Sequence, residues 1–542
     1  MKYVLVSGGV VSGLGKGITS SSIGVLLQAS GMTVTSIKID PYVNTDAGTM
    51  SPYEHGETYV LDDGGETDLD LGNYERFLDI RLTKDHNLTT GKLFSTLIQR
   101  ERKGDFLGKT VQLVPHATDL IQNWIETTAR LPLSGKTPDL CMIELGGTVG
   151  DIESMVFLEA LRQLQYRVGS DNFCHVHVSL VPVVGAVGEP KSKPTQHGIK
   201  ELRSVGLSPD LIVCRSSKPL GRTILSKISL FCMVPETNIL PIHDLSNLYQ
   251  VPLLMLKMRV PGIILGKLRL NKMPPEALPV WETLSTLADS VSRKVSIALV
   301  GKYTGLSDAY LSVIKALQHA CLAHNVKLDL KWIDSCFLED DECAEYKRAW
   351  AILKEVQGIL IPGGFGARGT MGKILATQFA REYKIPFFGI CLGMQVAVIE
   401  YARHVLGLSA AHSTEFEDTR DPVIINMPEL STTHMGGSMR LGARKTLIEA
   451  KTLASEIYGK SEVIERHRHR YEVNPEYIQP LEKAGLLFSG HDERKQRMEI
   501  VELPQGVHPF FLGVQFHPEF LTRPYRPHPM FSSFIQASVQ NL

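Results

Sequence analysis

The sequence predicts an α/β protein of two domains in a chain of 542 residues. In the first half, short β-branched runs alternate with helical stretches, a pattern typical of a parallel sheet wrapped by helices. A proline-rich stretch near residue 274 interrupts this alternation, and a new apolar strand begins at Lys294. In each half a glycine-rich turn joins a strand to a helix, the place where such sheets carry their functional groups.

The domain boundaries follow from these patterns. Residues 1–265 form the first predicted domain and residues 295–542 the second, with 266–294 as a linker because Pro274 and Pro275 break regular structure there. The candidate strands of the first domain are Tyr3–Ser7, Thr33–Ile39, Asp139–Glu144, His175–Pro182, Leu211–Cys214 and Ile239–His243.

Composition excludes several classes of protein. The 57 basic and 58 acidic residues nearly cancel, so no overall charge attracts nucleic acid or anionic membranes. No apolar run reaches membrane-spanning length. The eight cysteines form no C-x-x-C pair, which predicts buried thiols in a reducing compartment. We therefore expect a cytoplasmic protein.

A candidate phosphate-binding loop follows the first strand, at residues 7–17. Its glycines permit close approach of backbone N–H groups to phosphate oxygens, and Lys16 adds a cation at the start of the predicted helix, Ile18–Ala29. The pattern departs from G-x-x-x-x-G-K-[ST], because Gly17 stands where a magnesium-binding hydroxyl is expected. The alternative is a tight turn that only packs helix on strand. If phosphate binds, carboxylates elsewhere must hold the metal.

Carboxylates are available at or near strand ends, at Asp40, Glu144, Asp210 and Asp244. The segment 61–70 is also acidic and rich in glycine. It is interpreted either as a solvated loop or as part of a magnesium site, since hard cations prefer carboxylate oxygens.

The second domain contains a candidate nucleophile. Cys391 lies between Gly389 and Gly393 where an apolar strand runs into a helix, the layout of a nucleophile elbow. A helix N-terminus favours the thiolate form. His517 and Glu519 are candidate partners for proton transfer and ring orientation. The loop 361–366 offers backbone donors to an oxyanion. The alternative is that Cys391 is a small buried hydrophobe.

A basic run occupies residues 465–471. The simplest interpretation is a solvated face, and RNA contact is a weaker one. A third interpretation is that an arginine there binds a substrate carboxylate.

Together these motifs closely resemble those of the CTP synthase family, over nearly the whole chain. The most specific segments are 8–17, 38–42, 51–57, 66–72, 144–153 and 191–196. The resemblance implies an N-terminal P-loop-like sheet of the dethiobiotin-synthetase type and a C-terminal class I glutamine amidotransferase domain. It also implies conversion of UTP, ATP and glutamine to CTP, ADP, phosphate and glutamate, through a 4-phosphorylated UTP. The family carries this same variant of the phosphate loop.

The resemblance further implies roles for individual residues. Cys391, His517 and Glu519 would form the triad, with Lys16 and Lys38 assisting phosphoryl transfer. ATP would be held by Gly13, Leu14, Gly15, Lys16, Gly17, Ile18, Asp70, His243, Asp244 and Leu245. Magnesium would be held by Asp70 and Glu144. UTP, and CTP as feedback inhibitor, would be held by Ser12, Asp151, Ile152, Glu153, Lys191, Ser192, Lys193, Pro194, Thr195, Gln196 and Lys227. Glutamine would be held by Gly364, Leu392, Gly393, Met394, Gln395, Glu415 and Arg470.

The family also implies GTP as an allosteric activator, bound near residues 366–369, and a homotetramer that in some members stacks into filaments. Two residues depart from the pattern of many members: Thr58 replaces a valine on the ammonia path, and Met371 replaces a glutamate beside the GTP loop. The main rivals are other ATP-dependent amidoligases of the cobyric-acid or dethiobiotin type, and a structural, filament-forming role. Segment 191–196 argues against the first rival, and the full set of chemical residues means that a filament would not exclude catalysis.

Overall fold

The computed structural model describes residues 1–9, 11–133, 135–185, 188–427 and 436–541. By its contacts the chain divides into two compact units. The first comprises residues 1–47 and 70–289, and the second comprises 48–69 and 290–542. Each unit combines two separate stretches of sequence, and this division does not test the domain boundaries at 265 and 295, which stay predictions.

The first unit is built on a seven-stranded parallel sheet. Its strands, in spatial order, are Ile239–His243, Leu211–Ser216, Phe173–Leu180, Lys2–Gly8, Leu140–Leu145, Val34–Asp40 and Asn87–Thr89. All six predicted strands are present. The edge strand Asn87–Thr89 was not predicted, because three residues are too few to show a pattern. The parallel sheet confirms the fold class predicted for this half.

Helices cover the sheet of the first unit. They are Lys16–Ala29, Asp70–Leu78, Thr90–Lys103, Thr118–Thr128, Met155–Val168, Lys193–Ser204, Arg222–Cys232, Gln250–Lys257, Val260–Lys267 and Pro279–Ser290, with a small hairpin of Val183–Val184 and Glu189–Pro190. The last helix belongs to the predicted linker, yet it packs inside this unit. Trp281 is buried, with its ring 4.8 Å from that of Phe77.

The second unit contains a nine-stranded mixed sheet. Its strands, in spatial order, are Lys327–Asp334, Lys294–Gly301, Gly358–Ile361, Phe387–Ile390, Phe511–Val514, Met498–Glu502, Leu487–His491, Arg440–Ile448 and Glu462–His469. The first five are parallel and the later pairs are antiparallel. Three short strands, Ala411–Ser413, Asp421–Asn426 and Tyr471–Val473, form a separate sheet.

The helices of the second unit are Pro52–His55, Leu311–Ala323, Tyr346–Glu355, Thr370–Glu382, Leu392–His404, Leu453–Tyr458, Pro475–Lys483 and Pro529–Gln540. Apolar side chains on both faces of the sheet form two buried clusters, one around Val398 and one around Phe388. Within the described ranges, no helix combines the length and the apolar character needed to cross a membrane.

The segment 48–69 belongs to the second unit through buried ion pairs. Its hairpin, Tyr59–Val60 with Glu66–Thr67, lies against the strand Glu462–His469. Arg466 Nε donates to Asp62 Oδ1 at 2.5 Å, and Arg468 Nε donates to Glu66 Oε1 at 2.8 Å.

These ion pairs overturn two interpretations of the sequence. The basic run is not a solvated face, because Arg466 is fully buried and Arg468 is mostly buried. The acidic segment is not simply a solvated loop, because the Glu66 side chain is 1% exposed. The arginines of the basic run form ion pairs with the carboxylates of the acidic segment, and this pairing accounts for both runs.

Candidate functional site

Cys391 lies at a sharp turn between the strand Phe387–Ile390 and the helix Leu392–His404. Its φ of 53° is unusual for a residue other than glycine and stores strain, as in a nucleophile elbow. The Cys391 N–H donates to the Val514 carbonyl at 2.7 Å and holds the turn. A Cβ at Gly389 would lie 2.6 Å from the Gly393 carbonyl carbon, and one at Gly393 would collide with the Ile361 oxygen. The flanking glycines are therefore required by packing.

His517 and Glu519 meet at this turn. His517 Nδ1 lies 2.7 Å from Glu519 Oε1, and both side chains are buried. A Cβ at Gly363 would lie 3.0 Å from His517 Cε1 and 3.6 Å from Cys391 Cβ, so the ring, the cysteine and the glycine loop share one small space. Burial alone lowers the pKa of His517, but the Glu519 and Cys391 charges outweigh it and raise this pKa to about 10. The imidazolium form of His517 is therefore favoured in this site.

A cavity of about 180 Å³ opens beside Cys391. The glycine loop Pro362–Phe365 forms part of its wall, and residues of the segment 48–58, including Thr58, form another part. The cavity is small, which suits a compact amide substrate.

Apart from Gly364, the predicted glutamine residues are not among the described residues that line this cavity. The first helical turn, from Leu392 to Gln395, is buried, and Gln395 Nε2 donates to the Tyr471 carbonyl at 3.0 Å. Glu415 Oε1 accepts the Gly366 N–H at 2.8 Å, and burial raises the pKa of this carboxyl. Arg470 Nη2 donates to Ser438 Oγ at 2.8 Å. Glu415 therefore supports the loop that follows Gly364.

Sequence reasoning missed three side chains here. Gln515 Nε2 lies 3.6 Å from Cys391 Sγ. Lys302 and Lys373 are buried beneath the glycine loop. No motif marks either lysine. Gln515, in contrast, stands two residues before His517, and its place beside a candidate catalytic residue could have identified it.

The predicted GTP loop is held by Arg368. Its guanidinium lies 3.2 Å from Asp334 Oδ2 and donates to the Tyr53 hydroxyl at 3.0 Å. Met371 is 43% exposed, and its sulfur lies 3.4 Å from Arg403 Nη1.

The phosphate loop of the first unit has the predicted backbone. Gly13 and Gly15 have φ of 71° and 81°, and the helix begins at Lys16. Lys16 Nζ donates to the Gly147 carbonyl, and burial lowers the pKa of Lys16. A Cβ at Gly17 would collide with Asp70 Oδ1. The Asp70 carboxylate thus takes the space that a hydroxyl residue would need, which explains the glycine at that position.

Lys38 binds a group of carboxylates next to this loop. Its Nζ contacts Asp70 Oδ2 and lies 3.5 Å from Asp40 Oδ1 and 3.6 Å from Glu144 Oε1. Burial, with the nearby Asp70 charge, raises the pKa of Glu144 to about 7. Burial would also raise the pKa of Asp70, but the Lys38 ammonium outweighs it and holds this pKa below its usual range.

The carboxylates fit a magnesium ion that is also held by phosphate oxygens, because Mg²⁺ typically uses only one or two protein carboxylates. Asp70 and Glu144 both contact the same cation, Lys38, so both face one polar centre. Among the described residues there is no group of three or more His, Cys, Asp or Glu with metal-binding geometry.

The predicted adenosine residues lie at the end of the edge strand Ile239–His243 and just after it. Asp244 Oδ1 lies 2.8 Å from Arg215 Nη2, and the Asp244 N–H donates to the Ser216 carbonyl. His243 and Leu245 are partly exposed beside it.

The predicted UTP residues form a basic groove of about 520 Å³. Lys191, Ser192, Lys193 and Lys227 line it together, and so do Gly221 and Thr223, which sequence reasoning missed. Pro194, Thr195 and Gln196 lie in the first turn of the helix Lys193–Ser204, where Gln196 Nε2 donates to Ser192 Oγ at 3.0 Å.

The remaining predicted nucleotide residues do not line this groove. Ser12 lies in the exposed part of the phosphate loop. Asp151 accepts a hydrogen bond from the Thr148 N–H at 3.0 Å, and Ile152 is 88% exposed beside the exposed Glu153.

Comparison with known proteins agrees with this geometry. Residues 2–270 match the family model described as CTP synthase N-terminus, and residues 306–537 match that of class I glutamine amidotransferases. Human CTP synthase 1 is 55% identical over 553 aligned residues, covering all of this chain and 93% of the relative. CTP synthase of Dictyostelium discoideum is 54% identical over 568, covering all of both chains.

Among solved structures, the glutaminase domain of Trypanosoma brucei CTPS with bound acivicin is 43% identical, with a TM-score of 0.42. It matches 46% of this chain and 94% of that one. Both family models and the full-length identity of the relatives lead to one conclusion: this chain belongs to the CTP synthase family.

Proposed function

We propose that this chain converts UTP to CTP, using ATP and ammonia released from glutamine. One observation carries the proposal. The same chain contains a Cys391–His517 pair at a strained turn and a phosphate loop whose Lys16 stands beside a lysine–carboxylate cluster. The first set suits amide hydrolysis and the second suits phosphoryl transfer.

In glutamine hydrolysis, Cys391 Sγ attacks the side-chain amide carbon and a tetrahedral adduct forms. Its oxygen is stabilised by backbone donors of the glycine loop, with Gly364 as the principal one. His517 gives a proton to the departing nitrogen, so ammonia leaves and a thioester remains. Water activated by His517 then releases glutamate, while Glu519 keeps the ring oriented.

In amination, ATP phosphorylates the UTP O4 oxygen, which is otherwise a poor leaving group. Lys16 and the residues Gly13–Ile18 bind the phosphates, and Lys38 neutralises charge on the transferred group. Asp70 and Glu144 would hold Mg²⁺, which when bound neutralises charge on the phosphate oxygens. Ammonia displaces phosphate at C4 to give CTP. Releasing ammonia at Cys391, away from bulk water, prevents its loss as ammonium.

The groove of Lys191, Lys193 and Lys227 is proposed to bind the triphosphate of UTP. Three lysines line the groove with one acidic residue, Glu189, which lies 2.6 Å from Lys191, so a net positive charge remains to attract that group. Asp151, Ile152 and Glu153 are proposed to serve CTP as the inhibitor, and His243–Leu245 to serve adenosine. A homotetramer, in which a neighbour would meet this edge, is proposed from membership of the CTP synthase family.

GTP is proposed as an activator at the loop held by Arg368. Met371 has no carboxylate to place beside that loop. We therefore expect a weaker or altered response to GTP than in members with glutamate at this position. Thr58, which lines the cavity beside Cys391, would give the ammonia path a more polar wall than valine. Filament assembly and a cytoplasmic location stay part of the proposal.

Absorbance-monitored conversion of UTP to CTP, with ATP and glutamine, tests the whole proposal. Formation of CTP that requires all three substrates supports it. Another amidoligase would form no CTP and would gain no thermal stability from UTP, since only a ligand of the native state raises the unfolding temperature. Electron microscopy of the purified protein tests filament formation separately.

A further inference from the structure

Lys373 is the fourth residue of the helix Thr370–Glu382, which follows the predicted GTP loop. Its side chain is completely buried, and its Nζ has no hydrogen-bond partner in the part of the chain that the structure describes. A buried amine without a partner is costly, so retaining one calls for an explanation.

The Lys373 Nζ lies behind the glycine loop of the glutaminase site. It is 3.6 Å from the point where a Cβ at Gly364 would stand. The neighbouring Gly363 faces the other way, toward His517 and Cys391. The loop therefore lies between the reacting cysteine on one side and a buried amine on the other.

Lys302, which also lies beside Gly364, performs a different task. Its Nζ donates to the carbonyls of Phe365 and Gly366, at 3.0 Å for the first. Those bonds fix the far end of the loop, and within the described part of the chain the peptide at Gly364 has no comparable support. Lys373 is the amine placed to supply one.

Electrostatics agree with this placement. Burial lowers the pKa of Lys373 well below its ordinary value, and the charges of Lys302 and Arg368 lower it further. Asp334 and the Cys391 charge oppose this effect. Burial thus favours the uncharged amine, which is still an N–H donor, and a negative charge that develops near the loop would shift Lys373 back toward its protonated form.

We propose that Lys373 is a positioning residue for glutamine hydrolysis, whose Nζ lies against Gly364 from behind and donates to this loop as the oxyanion forms. The inference rests on the proposed function of the Cys391 site. Lys373 forms no covalent bond and acts through Gly364. Its contribution is therefore made in the tetrahedral state and not in the binding of glutamine.

The test compares Lys373→Met with Lys384→Met, in the full-length enzyme. Met keeps most of the length of the lysine side chain and removes the amine. Lys384 is an exposed lysine just beyond the far end of the same helix, so its variant removes one charge at a distance. We expect Lys373→Met to lower kcat for glutamine hydrolysis about 10- to 100-fold, less than or equal to the loss of a direct oxyanion donor. KM should change less than about twofold, and Lys384→Met should behave as wild type.

A transition-state probe distinguishes positioning from a general structural role. L-glutamate γ-semialdehyde forms a tetrahedral adduct with a thiol, so its inhibition constant should rise by the same factor by which kcat/KM falls. Synthesis from added ammonia should be unchanged. Lys373→Gln, which keeps a donor, should recover part of the loss and replaces Lys373→Met if that variant does not fold.

Wild-type kcat in Lys373→Met would overturn the inference. So would reduced kcat with unchanged semialdehyde inhibition, or parallel loss of ammonia-dependent synthesis, since each indicates a role other than oxyanion stabilisation. If the wild-type protein itself does not hydrolyse glutamine, the proposed function fails and this inference fails with it.

Discussion

Replacing Arg466 with Met should destabilise the second unit by about 3 kcal/mol. Arg466 is fully buried, and it binds Asp62 Oδ1 at 2.5 Å, the Tyr59 hydroxyl at 3.1 Å and the Val60 carbonyl at 3.0 Å. Met preserves most of the volume but none of these bonds. The segment that Arg466 holds is part of 48–69, which also lines the cavity beside Cys391.

The magnitude follows from the partners that are left behind. A hydrogen bond to a charged group contributes about 1.5–3 kcal/mol and a neutral one about 1 kcal/mol. Asp62 is 37% exposed, so water can replace part of its lost contact. Tyr59 still donates to the Phe520 carbonyl at 2.8 Å, so the Val60 carbonyl bears most of the remaining loss. These terms place the effect at the lower end of the roughly 3–5 kcal/mol that breaking a buried ion pair costs.

Calorimetry of the full-length protein should show the transition of this unit lowered by about 6–12 °C. Arg444→Met is the matched control, because Arg444 is exposed on the adjoining strand Arg440–Ile448. Adding Asp62→Asn completes a double-mutant cycle, in which the two losses should be less than additive by about 1–3 kcal/mol. A shift no larger than that of the control, or strict additivity, would refute the claim that this ion pair anchors the segment.

Three further outcomes follow from the same geometry. Lys16→Ala should abolish CTP synthesis with either nitrogen source and leave glutamine hydrolysis partly active; near-normal synthesis from ammonia would contradict the phosphate-loop assignment. Because the pKa of His517 is raised to about 10, its stabilising contribution is complete below about pH 6.5 and is lost as pH rises through about 10. Glu519→Gln should therefore lower the free energy of unfolding most at pH 6.5 and least near pH 10, and a pH-independent difference in denaturant titrations would disagree. Gly393→Ala should prevent a folded elbow, because its Cβ would collide with the Ile361 oxygen, and full glutaminase activity in that variant would rule out this packing.

Local patterns were enough to predict much of the fold. Six strands of the first sheet and the glycine turn at Gly13–Gly17 are specified by neighbours in the sequence, through β-branched runs and backbone freedom. The turn at Cys391 was predictable for the same reason, since Gly389 and Gly393 stand within two residues of it.

Long-range pairing was not predictable in this way. Asp62 and Arg466 are 404 residues apart, and each looks like an ordinary surface charge when its own segment is considered alone. Only the folded structure shows that Arg466 is completely buried and pairs with the partly buried Asp62. Lys302 and Lys373 were missed for a related reason, because a single lysine in a helical or strand pattern carries no sign that its amine is buried.

The central claim is that ammonia is made at Cys391 and used in the separate amination of UTP. The most direct measurement is CTP synthesis by Cys391→Ala with glutamine and, in parallel, with ammonium salts at mildly alkaline pH, where more neutral ammonia exists. Loss of the nucleophile should reduce glutamine-dependent synthesis at least ~10³-fold and leave ammonia-dependent synthesis intact. Glutamine-dependent synthesis that persists in this variant would show that another residue is the nucleophile, and loss of both activities in a folded protein would contradict the division of labour.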